Sequence, residues 1–166
     1  GVTAPGNVAT FSTSVAGTYS VIATNLITTC VSLSAAGTVT VNPLPTVVVN
    51  SSTVCAGVNA NVTATPTPAG TYSYAWTVPA GATPPGNVVS FTTLTAGTYS
   101  VIISDTATTC ASLSASGTVI VNPLPTVTVN STSVCAGVTA TITAMPGTVG
   151  NYSYAWTVPA GATNPG

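Results

Sequence analysis

Internal repetition at a fixed spacing constrains this chain more than any other feature of its sequence. Shifted by 80 positions, the 166-residue sequence aligns with itself without a gap, and 59 of the 86 overlapping positions are identical. The stretch YSYAWTVPAGAT at 72–83, for example, recurs unchanged at 152–163. A spacing of 80 is longer than the repeats of ankyrin, tetratricopeptide or leucine-rich proteins, and it matches the size of a small domain. We therefore expect tandem domains of 80 residues.

Proline-rich linkers mark where these domains should meet. The motif NPLP occurs twice, and its prolines are Pro43, Pro45, Pro123 and Pro125. Proline fixes the backbone angle φ and donates no hydrogen bond to a β-ladder, so each motif is expected to end a strand and to form a short, stiff linker. The predicted boundaries give the second half of one domain at 1–43, a complete domain at 44–123 and the first half of another at 124–166.

The complete domain has the pattern of β-strands throughout. Short runs of β-branched and aromatic residues alternate with polar residues, and Gly, Pro, Asn and Ser separate the runs. The residues predicted to face inward are Ala60, Val62 and Ala64, then Tyr72, Tyr74, Trp76 and Val78, then Tyr99, Val101 and Ile103. About seven short strands per repeat indicate an all-β fold built of antiparallel β-sandwiches. We also expect a strand break at Gly117 and a variable loop at 59–69, where the two repeats differ most.

Charged side chains are almost absent, because the chain has no Lys, Arg, His or Glu and its one acidic residue is Asp105. Nucleic acids and anionic membrane surfaces are bound through basic side chains, so neither partner is expected. Polar residues interrupt every apolar run well before the roughly 18 residues that a membrane-spanning helix needs, so membrane insertion is not expected. With 45% hydrophobic residues, the chain should not be disordered. A net charge of −1 provides little repulsion between copies.

The same composition argues against enzymatic activity. General acid–base catalysis needs a positioned proton carrier, and a single Asp cannot form a carboxylate pair. The many Ser and Thr hydroxyls have no His or Lys to activate them. Four cysteines spread one per half-repeat do not form a metal site. We therefore expect no catalytic residue, no metal and no cofactor.

The four cysteines suggest a disulfide. Cys55 and Cys110 lie in the same predicted domain, and a bridge between them would close a long loop and stabilise the domain by about 4 kcal/mol in the chain-entropy description. Cys30 and Cys135 would pair with cysteines of neighbouring repeats. The alternatives are free thiols, or a bridge from Cys30 to Cys55 across the linker. One cysteine pair per 80 residues in a Ser- and Thr-rich chain points to an oxidising, extracellular setting.

The motifs together resemble a known family. VNPLPTVTVN, VCAG, YSYAWTVPAGA, AGTYSV and TTC are similar to the tandem immunoglobulin-like (PKD-like) repeats of very large secreted or surface proteins of Bacteroidota, and the resemblance covers the whole chain. It implies immunoglobulin-like sandwiches that act as spacers or adhesive modules, usually exported by the type IX route. It also implies that the triplet DTA at 105–107 matches an O-glycosylation motif, in which Thr106 would carry the glycan.

Two further features have both a structural and a functional interpretation. The expected core aromatics are Trp76, Trp156, Tyr74 and Tyr99. The tryptophans are expected to pack in the core of a sandwich, and the alternative is an exposed aromatic platform for sugars. The sheet edges have no Lys to deter pairing, so copies of the chain could bury them; the alternative is a row of separate domains with short, twisted edges. The sequence favours core packing for the tryptophans and slightly favours assembly for the edges.

The predicted function is structural. We expect a non-catalytic repeat protein that forms an extended extracellular stalk or filament on or from a bacterial cell, with copies of itself or adjacent repeats as partners. The alternative is an adhesin or carbohydrate-binding module, whose partners would include glycans. The sequence begins with GVTAPG and ends with GATNPG, which is the same loop. This overlap favours a segment of a longer repeating chain over half-domains of separate copies that complete each other.

Overall fold

The structure, a computed structural model, describes residues 4–165. Within this range every regular element is a β-strand, which confirms the prediction of an all-β fold. The eleven strands of the described range are β1 (Gly17–Val21), β2 (Ala35–Val39), β3 (Thr46–Val49), β4 (Ser52–Cys55), β5 (Ala60–Thr67), β6 (Tyr72–Thr77), β7 (Ser90–Thr93), β8 (Gly97–Asp105), β9 (Ala115–Asn122), β10 (Val127–Val129) and β11 (Ala144–Pro146).

Seven of these strands, β3 to β9, form two sheets in the central segment at 44–123. The first sheet has three strands in the order β3–β5–β7, and the second has four in the order β4–β9–β8–β6. All neighbouring strands are antiparallel except β4 and β9, which are parallel. The two sheets enclose one hydrophobic core in a sandwich-like arrangement.

The core lies between the inward faces of the two sheets. Its buried residues are Val49, Ala60, Val62, Ala64, Tyr72, Tyr99, Val101, Ile103 and Val119. Alternate residues in β5 and in β8 are buried, as the alternation of apolar and polar residues predicts for strands with one face in a core. The fully buried Tyr99 donates a hydrogen bond from its hydroxyl to the carbonyl oxygen of Thr95 at 2.8 Å, so its polar end is satisfied.

The chain crosses from the first sheet to the second between β3 and β4. The side chain of Asn50 connects this crossing segment to β5 through two hydrogen bonds. It donates to the carbonyl oxygen of Asn61 at 2.9 Å and accepts from the N–H of Thr63 at 2.6 Å. On the other side, a Cβ added to Gly117 of β9 would overlap the carbonyl oxygen of Asn50. Gly117 thus lies inside a strand and permits this close approach, and the predicted break there is wrong. The interruption comes earlier, at 112–114.

The segment in which the two repeats differ most, 59–69, is not a variable loop. It contains β5, the middle strand of the three-stranded sheet, and the inward residues of β5 belong to the core. The inward positions keep their apolar character in the second copy, where Ile142 stands in place of Val62. The differences between repeats therefore fall mainly on outward positions and on the turn that follows.

Each terminal segment contains one antiparallel strand pair within the described residues. β1 pairs with β2 in the register of β8 with β9, shifted by 80 positions. β10 pairs with β11 in the register of β3 with β5, shifted by the same amount. Across residues 4–165, none of these four strands contacts a strand outside its own pair. Each pair therefore keeps an apolar face that no other strand covers.

Gly117→Ala should destabilise the central segment, whereas Gly37→Ala, the same change 80 residues earlier, should have little effect on stability. A Cβ at Gly117 overlaps a main-chain carbonyl held by β5, and overpacking of this kind costs about 1–3 kcal/mol. Nothing lies within 4 Å of a Cβ at Gly37. Urea unfolding of the full chain, followed by Trp fluorescence, measures both effects. Equal losses for the two variants would contradict the close approach at Gly117.

Candidate functional site

The side chains from which metal and catalytic sites are built are not clustered in the described chain. Among residues 4–165, no group of three or more His, Cys, Asp or Glu is placed to hold a metal ion. Over the same range, no helix is long and apolar enough to cross a membrane. The candidate features of the described chain are instead the tryptophan-bearing segments, the two ends of the central segment, and the open faces of the terminal segments.

Trp76 of β6 packs against the edge of the central core. Its ring meets Phe91 edge-on, with ring centroids 5.0 Å apart and an interplanar angle of 83°. Its indole N–H donates to the carbonyl oxygen of Val88 at 2.9 Å. Tyr74 on the same strand is also half-buried against the core, and its backbone N–H donates to the side chain of Asn87 at 2.7 Å. Because the polar atom of Trp76 is already bonded internally, this geometry favours a core role over a sugar platform.

The equivalent Trp156 lines an open groove instead. The groove has a volume of about 260 Å³ and lies between β10, β11 and the segment at 152–156. Its apolar lining includes Val127, Val129, Tyr152, Tyr154 and Trp156. In the central segment the corresponding residues pack against β8 and β9, whose side chains fill this space. The groove is therefore the space that β8 and β9 fill in the central segment, and no strand fills it within the described residues.

The pair β1–β2 presents a second open apolar face. Val21 is 63% exposed, whereas its counterpart Val101 in β8 is 1% exposed. The C-terminal segment repeats the contrast, since Ile142 is 50% exposed and its counterpart Val62 is 1% exposed. Burying one such side chain is worth about 1.5–3 kcal/mol, so the contrast measures how much each inner position contributes where the sandwich is complete.

The linkers leave the central segment at opposite ends. Leu44 and Pro45 lie beside residues 113–115, at the upstream end of β9. β9 finishes at Asn122, opposite Cys55, and the second NPLP linker follows directly. The eight residues of β9, at about 3.3 Å each, separate the two ends by roughly 26 Å. The predicted linker prolines all lie between strands: Pro43, Pro45, Pro123 and Pro125.

The four cysteines are free, and the predicted bridge between Cys55 and Cys110 is wrong. Cys55 ends β4 and lies opposite Asn122, at the downstream end of β9. Cys110 lies between β8 and β9, before Ala115 and thus beyond the upstream end of β9. The seven steps from Ala115 to Asn122 span about 23 Å, whereas the Cα atoms of a disulfide lie within about 7 Å of each other.

The same placement does not favour a bridge from Cys30 to Cys55. Cys30 occupies the position of Cys110 in its own segment, and the carbonyl oxygen of each accepts the same turn-closing hydrogen bond, 2.9 Å long in both. Cys30 thus marks the upstream end of one repeat, and Cys55 marks the downstream end of the next. A cysteine at the position equivalent to Cys55 can lie near one at the position equivalent to Cys110 only at the junction between two successive repeats. Pairing with neighbouring repeats therefore stays the prediction for Cys30 and Cys135.

Asp105 shapes the turn that carries the proposed glycosylation triplet. Its side chain accepts hydrogen bonds from the N–H groups of Ala107 at 2.8 Å and Thr108 at 2.9 Å. The bond from Thr108, and then that from Ala107, lower the pKa of the carboxyl group because both favour its ionised form. Asn25 makes the same two bonds in the N-terminal segment, so the turn needs an acceptor rather than a charge.

Thr106 is exposed at this turn. Its hydroxyl donates to the carbonyl oxygen of Thr71 at 3.1 Å, and its backbone N–H donates to the same oxygen at 3.1 Å. A glycan attached to the hydroxyl would remove the first bond and leave the second. The turn can therefore accommodate the modification, and O-glycosylation of Thr106 stays a prediction.

The sequence spacing predicts core positions for the aromatic residues of 152–156, whereas the structure places Trp156 at an open groove. The NPLP motifs also predict that 124–166 holds only the first half of a domain, so the strands that would close this core are not among the described residues.

Peptides joined by a Cys55–Cys110 disulfide should be absent after mild oxidation of the full chain, because the two thiols lie at opposite ends of β9. Chymotryptic mapping by mass spectrometry under non-reducing conditions measures this. The reduced chain is the control. Quantitative recovery of the cross-linked pair would contradict the parallel register of β4 with β9.

Unfolding should be nearly independent of pH between about pH 5 and 8, because Asp105 is the only charged side chain. Its pKa is lowered in the folded state, so its ionised form stabilises the fold above the ordinary pKa, and this contribution is lost as the pH falls through the folded pKa. Asp105→Asn should preserve the turn, as Asn25 does, and should remove this acid sensitivity. Urea midpoints at neutral and strongly acidic pH test this; an undiminished acid loss in the variant would contradict it.

Neither a scan against protein-family models nor a search of the curated proteins finds a match to this chain.

Proposed function

We propose that this chain is a structural, non-catalytic repeat protein that forms an extended stalk or filament outside a bacterial cell. In this proposal each 80-residue repeat is an immunoglobulin-like sandwich, and successive repeats join end to end through the NPLP linkers. The resemblance to surface repeats of Bacteroidota supports the bacterial and extracellular parts of the proposal.

One observation carries the extended shape. The linkers enter and leave the central segment at opposite ends of β9, beside Pro45 and beside Asn122. A domain whose two linkers lie at opposite ends adds its length to the chain, whereas a domain whose linkers lie side by side folds the chain back on itself. Proline in both linkers stiffens the joints. Repeats of this kind therefore favour a rod over a compact particle.

The sheet edges of the central segment support end-to-end growth more than side-to-side pairing. The edge strands β3, β4 and β7 have only four residues each, and short edges limit strand addition by another chain. β6 is the longest edge, with six residues. Assembly along the axis is thus the form of the filament that the geometry favours.

The alternative function, an adhesin or carbohydrate-binding module, has less support. The two features expected of such a module are an exposed aromatic platform and a variable loop. Trp76 uses its indole N–H and packs its ring against Phe91 inside the segment, and residues 59–69 hold a core strand rather than a loop. A glycan array that shows specific, saturable binding would favour this alternative.

Electron microscopy of native material tests the structural function. We expect fibres with an axial repeat of about 40 Å, the length of β9 plus the four-residue linker at 123–126. Compact, monodisperse particles at high concentration would contradict the proposal, since rigid end-to-end repeats cannot form them.

A further inference from the structure

The two linkers would load the central segment along β9. The first linker ends at Pro45, beside residues 113–115 at the upstream end of β9, and the second linker follows Asn122 at the downstream end. Tension on an extended chain would act at these two points, in opposite directions and nearly parallel to β9. The contacts of the strands next to the linkers therefore decide how the segment responds to tension.

The strands that follow the first linker accompany β9 towards its downstream end. β3 lies in the opposite sheet and contacts β9 across the core. The crossing at Asn50 lies against Gly117, and β4 then continues beside β9 in the same sheet. Both strands end together, where Cys55 lies opposite Asn122. The pairing of β4 with β9 thus connects the strands of the first linker directly to the strand that leads into the second.

This parallel pairing is closed by hydrogen bonds at both of its ends. Its register is unbroken over the four residues of β4. At the upstream end, the N–H of Thr118 donates to the hydroxyl oxygen of Ser51 at 3.1 Å. At the downstream end, the N–H of Ala56 donates to the carbonyl oxygen of Asn122 at 2.8 Å. The connection between β4 and β9 is therefore longer than β4 itself.

Tension along the chain would shear this pairing. The first linker pulls β4, through β3, towards the upstream end, and the second linker pulls β9 towards the downstream end. The hydrogen bonds of a parallel ladder are evenly spaced between the strands, so a sliding load falls on all of them at once. A load that opened the pairing from one end would instead break the bonds one after another. Shear is therefore the direction in which the pairing resists most.

The crossing before β4 is held to the other sheet as well. The side chain of Asn50 bonds to the carbonyl oxygen of Asn61 and to the N–H of Thr63, and the N–H of Asn50 donates to the carbonyl oxygen of Thr63 at 3.3 Å. β3 also pairs with β5 just upstream of this crossing. Tension that enters at Pro45 is thus shared between the two sheets.

We propose that the central segment is a load-bearing unit, in which the parallel pairing of β4 with β9 resists tension along the chain. This inference goes beyond the proposed function, because a spacer needs only length, whereas a tether must keep its length under force. It rests on the proposed extended arrangement for the direction of the load. The pairing and the positions of both linkers belong to the complete central segment.

Rupture of the pairing should release the segment in one step. Val54 of β4 and Val47 of β3 both pack against the core, so separation of these strands would expose it. The remaining strands are then expected to unfold with them as one cooperative unit. The chain would lengthen by about 240 Å, which is the extended length of residues 44–123 less the folded length of β9.

Single-molecule force spectroscopy of the full chain tests the proposal through the direction of pulling. Handles on the two chain ends load the segment through both linkers and shear β4 against β9. In the second geometry, one handle is on the exposed thiol of Cys55 and the other on the C-terminal end, so the load opens the pairing from its downstream end. Both geometries use one parent chain with Cys30→Ser, Cys110→Ser and Cys135→Ser, so its stability is the same in both.

We expect the rupture force to be several-fold higher in the first geometry at the same loading rate, with a single step of about 240 Å. A contact that only stabilises the fold has no preferred direction of loading. Equal rupture forces in the two geometries would therefore overturn the proposal.

Proline variants of β4 test the pairing itself. The N–H of Ala56 bonds to β9, and bonding alternates along a strand, so the N–H of Val54 faces β9 and that of Thr53 faces away from it. Val54→Pro removes one sheared hydrogen bond. Thr53→Pro, on the outer side of an edge strand, removes none and is the matched control. Val54→Ala is a second control, because it keeps the bond and loses only side-chain packing.

The end-to-end rupture force should fall further for Val54→Pro than for Val54→Ala, and it should hardly change for Thr53→Pro. An undiminished force for Val54→Pro, or an equal loss for Thr53→Pro, would contradict the assignment of the load to this pairing. Urea unfolding shows whether each variant is folded. If Val54→Pro does not fold, the two pulling geometries of the parent chain still decide the matter.

Failure of this inference and failure of the proposed function are distinguishable. Fibres in electron microscopy together with equal forces in the two geometries would leave a stalk that is a spacer only. A direction-dependent rupture force without fibres would leave a load-bearing repeat and would remove the filament.

Discussion

Pairing between the two halves of a repeat is the interaction on which the rest of this structure depends. Three of the five strand pairings in the central segment join residues of 44–86 to residues of 87–123, and the buried core lies between them. Each half by itself retains one strand pair, its turns and its local hydrogen bonds, but exposes its apolar face. The repeat is therefore cooperative across its halves: local contacts set the shape of each half, and only the contact between halves removes the apolar surface from water.

Because charged side chains are almost absent, the stability of the fold depends almost entirely on apolar contact. Residues 4–165 contain no ion-pairing cation, and the one carboxylate serves a turn in which Asn25 does equally well. Stability then comes from burial and from hydrogen bonds, neither of which is strongly screened by salt or titrated near neutral pH. Such a surface does little to keep copies of the chain apart.

The wrong predictions from the sequence share one physical cause. The spacing of two residues along the chain says little about where each lies in the sandwich, at which end or in which sheet. Cys55 and Cys110 belong to the same 80 residues, but a parallel pairing of β4 with β9 places them at opposite ends. Gly117 resembles a turn residue in sequence and is instead a strand residue, because the carbonyl of Asn50 needs the room that a side chain would occupy. Neither fact could be predicted from the sequence, since each depends on which strand crosses to the opposite sheet.

The sequence by itself determined the strand-forming character, the inward residues of β5 and β8, the repeat length and the linker positions, because alternation, β-branched residues and proline act locally. It also leads us to expect no function that requires charged side chains. Only the tertiary structure decided which strands exist. The stretch YSYAWT forms an edge strand at 72–77, where β8 is beside it, and forms none at 152–157, where no strand pairs with it. A strand is completed by hydrogen bonds to a neighbour, so the two identical stretches differ because only one of them has that neighbour.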